Sequence, residues 1–185
     1  MRNLFKGLSV TTPDAGLAVA ALVERFYVHA PEAEARRFDL ALWKMLKSAT
    51  PALRASVSEC LSCLEKGPSI TLRALACDEN PRVALPVLRN ARALSDQALA
   101  EIARCKDSDH LNAIAERAGL DPKISAILIR RGTRRVLQTL AMNETAALSP
   151  ALAQRLGKRL RSYARREAAD LRRSAWPSES ARMTL

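Results

Sequence analysis

Apolar residues in this chain recur three and four positions apart, in short runs separated by polar punctuation. Leu72, Leu75 and Ala76 form one stripe, Leu99 and Ile102 the next, then Ile124, Ile127 and Leu128, then Leu152 and Leu156. Side chains at i, i+3 and i+4 stack on one side of a helix, so each set predicts one buried helical face. The punctuation agrees. Five prolines directly follow a residue suited to capping a helix start: Thr12-Pro13, Thr50-Pro51, Asn80-Pro81, Asp121-Pro122 and Ser149-Pro150. A capping oxygen accepts an orphan backbone N–H, and proline at the first helical position has no N–H to lose. Ser95 and Thr133 supply further caps, and Gly67, Gly119 and Gly132 stand where helices should end.

The segments recur at a near-constant period. Ser69, Ser95, Asp121 and Ser149 precede successive stripes at intervals of 26, 26 and 28 residues. Between them, further helices are expected over residues 51–64, 81–90, 109–117 and 133–143, the third capped by Ser108 or Asp109. Helix pairs of fixed period are the signature of a stacked solenoid, in which neighbours supply the stability a nine-residue helix lacks alone. Leu72, Leu75, Leu99, Ile102, Leu111, Ile114, Ile127, Leu128, Leu137 and Leu140 are expected to form one continuous core.

The flanks read differently. Residues 14–30 and 35–48 predict two helices carrying Phe26, Tyr27, Phe38 and Trp43, four of the chain's seven aromatics. They are expected to close the first repeat, with a dimer interface as the alternative. From Pro150 to about residue 173 the pattern gives one long helix, or two joined at Gly157. Leu152, Leu156, Leu160, Tyr163, Ala164, Ala168 and Leu171 line one side of it, and arginines occupy much of the rest. The expected fold is therefore all-α: a short right-handed α-solenoid with an N-terminal helical cap over 1–48, repeats over 49–148, a basic amphipathic helix over 149–174 and a tail over 175–185.

Specific stretches carry a family resemblance: Leu72-Arg-Ala-Leu-Ala-Cys-Asp78, then Asp78-Glu-Asn-Pro-Arg-Val-Ala-Leu-Pro-Val-Leu-Arg-Asn90. It continues through Leu94-Ser-Asp-Gln-Ala-Leu99, His110-Leu-Asn-Ala-Ile-Ala115 and Arg131-Gly132. This run, over roughly residues 40–156, resembles HEAT-like and leucine-rich-repeat-variant solenoids, and more closely an uncharacterised alphaproteobacterial family of such proteins. The resemblance implies stacked HEAT-like helix pairs and brings no catalytic motif with it.

Composition narrows the class. Apolar residues make up 48% of the 185, mostly Ala and Leu, and aromatics and glycines are scarce, which disfavours a β-rich fold. The stretch from Leu17 to Val23 is too short for a signal peptide core or a membrane span, so a cytoplasmic protein is expected. The four cysteines fit a reducing compartment. Charge changes the picture most. Residues 1–122 hold 16 Lys and Arg against 15 Asp and Glu, whereas residues 123–173 hold 13 against three. An excess confined to one end makes a local field that attracts anions.

Candidate chemistry is sparse. Cys60 and Cys63 share a helical face but lack a second compact ligand pair, so buried core thiols are expected rather than zinc or redox chemistry. His110 opens a helix and reads as part of its capping. No Gly-rich phosphate loop, GxSxG or HExxH occurs, so no catalytic residue, cofactor or metal is expected. The sharpest signal is Arg130-Arg-Gly-Thr-Arg-Arg135, four arginines around a turn that opens a helix. With Arg155, Lys158, Arg159, Arg161, Arg165 and Arg166, residues Arg130, Arg131, Arg134 and Arg135 form the expected anionic-partner site. The leading expectation is a non-enzymatic interaction module that docks a protein partner on the solenoid surface. Nucleic-acid phosphate binding through the same arginines is the alternative. An anionic membrane surface ranks third, and an enzyme of the HEAT-like DNA glycosylase type ranks last. Residues 67–148 contain no aromatic for base stacking.

Overall fold

The computed structural model describes residues 14–174. Among them the chain is helical, with no strand. The order is α1 (Asp14–Leu22), a π-helical turn (Val23–Tyr27) that continues it, α2 (Glu32–Lys47), α3 (Pro51–Ser62), α4 (Ser69–Ala76) and α5 (Pro81–Asn90). Then follow α6 (Asp96–Cys105), α7 (Ser108–Ala115), α8 (Pro122–Arg131), α9 (Arg134–Met142) and α10 (Pro150–Ser174). The expected cap at Thr12-Pro13 and the tail over 175–185 lie outside the described residues. So do the side chains of Leu171, Arg172 and Arg173.

The helix starts follow their caps. Thr50 accepts from the Leu53 amide at 3.3 Å, Asn80 from Arg82 at 3.0 Å, Ser95 from Ala98 at 3.3 Å, Asp121 from Lys123 at 2.6 Å and Ser149 from Leu152 at 3.3 Å. Each satisfies a donor that the helix itself cannot. Three starts depart from expectation. Asp107, not Ser108 or Asp109, caps α7, accepting from the His110 amide at 3.2 Å. Thr133 gives α9 no side-chain cap, and its hydroxyl shares a 2.9 Å hydrogen bond with Ser108 instead. Ser69 is the first residue of α4 rather than its cap, and the capping comes from another helix. Buried Asp39 on α2 accepts from the amides of Ile70 and Thr71, both at 2.8 Å, and from the Thr71 hydroxyl at 2.7 Å.

The helices pack on their next-but-one neighbours. In the odd row α1 lies on α3, α3 on α5, α5 on α7 and α7 on α9. In the even row α2 lies on α4, α6 on α8 and α8 on α10. Their inward faces merge into one apolar cluster, which contains all ten residues expected to form the core. Burying each large aliphatic side chain there contributes about 1.5–3 kcal/mol. Val57, Leu61, Val83, Val87 and Leu88 join it on α3 and α5. At the N-terminal end Phe38 is buried and Tyr27 and Trp43 pack against the cluster, while Phe26 is 42% exposed beneath the Arg25 guanidinium.

Gly132 ends α8 where nothing larger fits, since a Cβ there would lie 2.6 Å from the Leu128 carbonyl oxygen. Gly157 does not break α10, which runs as a single helix of 25 residues. No helix of the described residues is long and apolar enough to cross a membrane.

Candidate anionic-partner face

The basic end is built from the last turn of α8, the α8–α9 turn and α10. Helix α10 is held by its apolar side: Leu156 is buried, and Leu152, Leu160 and Tyr163 pack on the core. Ala164, placed on that side by the sequence pattern, is exposed. Packing this side fixes which arginines face the body and which face away.

The ten expected site residues divide into two groups. Arg131, Arg134 and Arg159 are engaged within the fold. Arg131 donates to the Ala103 carbonyl at 2.6 Å, at the end of α6. Arg134 pairs with Glu167 of α10. Arg159 caps the end of α8, donating to the carbonyls of Ile129, Arg130 (2.6 Å) and Gly132 (3.2 Å). Its guanidinium also reaches the Tyr163 hydroxyl at 3.2 Å and lies 5.8 Å from that ring's centre. The other seven (Arg130, Arg135, Arg155, Lys158, Arg161, Arg165 and Arg166) are exposed, and their side chains make no hydrogen bond or ion pair among the described residues.

The Arg131 and Arg159 contacts belong to a series. Lys106, just after α6, donates to the Cys77 carbonyl at the end of α4 at 2.5 Å. Arg131 then serves α6 and Arg159 serves α8, at sequence separations of 29, 28 and 27 for the Cys77, Ala103 and Gly132 carbonyls. The odd row does the same. Arg117 after α7 donates to the Leu88 carbonyl at 3.3 Å and the Ala91 carbonyl at 2.5 Å, at the end of α5. Asn143 after α9 donates to the carbonyls of Ala115 at 2.8 Å and Arg117 at 2.7 Å. The last carbonyls of a helix have no partner within it, and their partial negative charge favours a cation. Each of these five helix ends receives a side chain from the next-but-one helix or from the residues just after it. Burial lowers the Arg117 guanidinium pKa below its ordinary value. Lys106, Arg117 and Asn143 were not singled out from the sequence, although a donor recurring near each helix end at this period was the signal available.

The unengaged α10 cations cover the outer side of the helix and one flank. At 100° per residue, Lys158, Arg161 and Arg165 fall on the side turned away from Leu152, Leu156, Leu160 and Tyr163, and Arg155 and Arg166 fall together on one flank. The hydrogen bond from Arg159 to the Arg130 carbonyl brings the Arg130 backbone to the flank that carries Arg155 and Arg166. Little acid offsets these cations: in residues 130–170 the acids are Glu144, Glu167 and Asp170, and Glu167 is taken by Arg134.

Other candidates resolve differently. Cys60 is half-buried, and burial pushes its thiol pKa up. Cys63 caps the end of α3 and is exposed, as is Cys105, which corrects the expectation that Cys60 and Cys63 are both core thiols. The ring of His110 spans Asp107 at 2.6 Å and the Asp78 carbonyl at 3.2 Å, and its hydrogen bonds hold the Asp107 carboxyl pKa below its usual range. A cleft of about 700 Å³ at the ends of α3, α5 and α7 is crossed by the ion pairs Arg89–Glu116 and Arg92–Glu65. A second, of about 840 Å³ between α3 and α5, is lined in part by Ala52, Ala55, Leu85 and Pro86. No group of three potential metal ligands converges among the described residues.

Residues 83–185 match a family described as an uncharacterised protein conserved in bacteria (DUF2336). No curated protein and no solved structure matches the chain.

Proposed function

From the premise that the chain belongs to the DUF2336 family, we propose that it is a non-enzymatic interaction module, a short right-handed α-solenoid of HEAT-like helix pairs whose basic C-terminal end receives an anionic partner. Two features support the solenoid reading: next-but-one helix packing through the odd row and through most of the even row, and carbonyl caps donated from 27–29 residues further along the chain. Such stacks offer long continuous surfaces to macromolecules.

The observation that carries the partner reading is the unengaged set Arg155, Lys158, Arg161 and Arg165. Three neighbouring arginines in the same region are consumed by the fold, so the excess charge is not merely structural. Retention on a phosphocellulose column tests the proposal. Wild type should elute at clearly higher salt than a variant combining Arg155→Gln, Lys158→Gln and Arg165→Gln. Equal elution would remove the anionic-partner reading. A protein segment along the α3–α5 cleft is the second reading, favoured by its Ala, Leu and Pro lining.

A further inference from the structure

We propose that the outer side of α10, with the flank that carries Arg155, binds the phosphate backbone of a nucleic-acid duplex. The inference rests on the anionic-partner reading above and assigns that partner its chemistry.

Charge density favours a duplex over an acidic protein. Arg155 and Arg165 bracket about 15 Å of helix, and Lys158 and Arg161 lie between them. A duplex carries one negative charge per about 1.7 Å of its axis, so every cation along that length finds a phosphate. An acidic helix facing the same stripe places neighbouring side chains about 5–6 Å apart, and fewer pairs form. Arginine also matches phosphate geometry with two parallel donors.

The packing of α10 argues against a membrane. An interfacial helix must bury its apolar side in lipid. Here Leu152, Leu156, Leu160 and Tyr163 are already packed on the body, leaving only charge for a lipid surface.

A single strand is disfavoured by the absence of a stacking platform. Single-strand sites combine a basic groove with exposed aromatics. Tyr163 is the sole aromatic between residues 67 and 170, and it is half-buried with the Arg159 guanidinium over its ring. The contacts are therefore to the phosphate backbone rather than to bases, and carry little sequence preference.

Fluorescence anisotropy of the full chain tests the proposal. The probes are a DNA duplex of about 20 base pairs, an RNA duplex of the same sequence, the DNA single strand, polyglutamate, and vesicles rich in phosphatidylserine. At least one duplex should bind more tightly than the single strand, polyglutamate and vesicles. The logarithm of its affinity should fall against the logarithm of salt with a slope between about −4 and −6, near −0.9 for each phosphate neutralised. The DNA and RNA arms decide which duplex geometry fits the face. Arg155→Gln with Arg165→Gln should make that slope shallower by about two. Arg36→Gln with Arg37→Gln, the same charge removed from α2, should leave it unchanged. Binding to polyglutamate or vesicles in preference to both duplexes would overturn this inference and leave the interaction module standing. Binding to none of the probes at low salt would overturn both.

Discussion

The guanidinium of Arg159 donates to the backbone carbonyl of Arg130 at 2.6 Å, so one member of the expected binding cluster serves as the end cap of the helix that carries another. Arg159 should therefore matter for stability, and Arg155, one turn earlier and exposed, should not. Arg159→Ala leaves the carbonyls of Ile129, Arg130 and Gly132 without this donor, and is expected to cost about 1–3 kcal/mol in urea unfolding. Arg155→Ala should stay within about 0.5 kcal/mol of wild type. Equal effects of the two would show that the cap contributes nothing.

Asp39 makes a similar long-range cap at the opposite end of the chain. It serves the two amides of α4 and the Thr71 hydroxyl while almost wholly buried. Asp39→Ala removes charge-assisted hydrogen bonds worth about 1.5–3 kcal/mol each, so its loss should exceed that of Thr50→Ala, a cap of about 1 kcal/mol. Thermal unfolding of the two variants checks the order.

Ser125 on α8 points the other way. Its hydroxyl is fully buried with no hydrogen-bond partner among the described residues. An unpaired buried hydroxyl carries a desolvation cost, and alanine is the better helix former. Ser125→Ala should be neutral or raise stability by up to about 1–2 kcal/mol. A loss of that size in urea unfolding would show that the hydroxyl has a partner.

Thiol reactivity should follow exposure. Cys63 and Cys105 are exposed, whereas Cys60 and Cys77 are half-buried and burial raises their thiol pKa values. Timed iodoacetamide labelling read by mass spectrometry should modify Cys63 and Cys105 first, since the thiolate is the nucleophile. Prior labelling of Cys60 and Cys77 would contradict the packing of α3 and α4.

Local chemistry was legible in the sequence, and contacts between helices were not. Thr50, Asn80, Ser95, Asp121 and Ser149 cap the helices they precede because each capping oxygen reaches only two or three residues along the chain. The ten core residues were legible because helical periodicity fixes which face is apolar. Asp39 reaching residues 31 and 32 positions away depends on how α2 is rotated against α4, which no local pattern encodes. The same applies to Arg131 and Arg159, which the sequence groups with their neighbours although stacking commits both to carbonyls. Cys63 escaped for a related reason: periodicity placed it near a buried face, but α3 ends just before it.

On the proposed function, the cations on the outer side of α10 form a binding surface and are not a general solubilising charge. The direct test is the affinity for long-chain polyphosphate, at fixed low salt, of two variants of equal net charge. One combines Arg155→Gln, Lys158→Gln and Arg165→Gln, and the other combines Arg36→Gln, Arg37→Gln and Arg104→Gln, all exposed positions elsewhere. The first should lose at least about tenfold in affinity, equivalent to about 1.4 kcal/mol, while the second stays close to wild type. Equal losses in the two would contradict the proposed function, since the binding would then follow net charge alone.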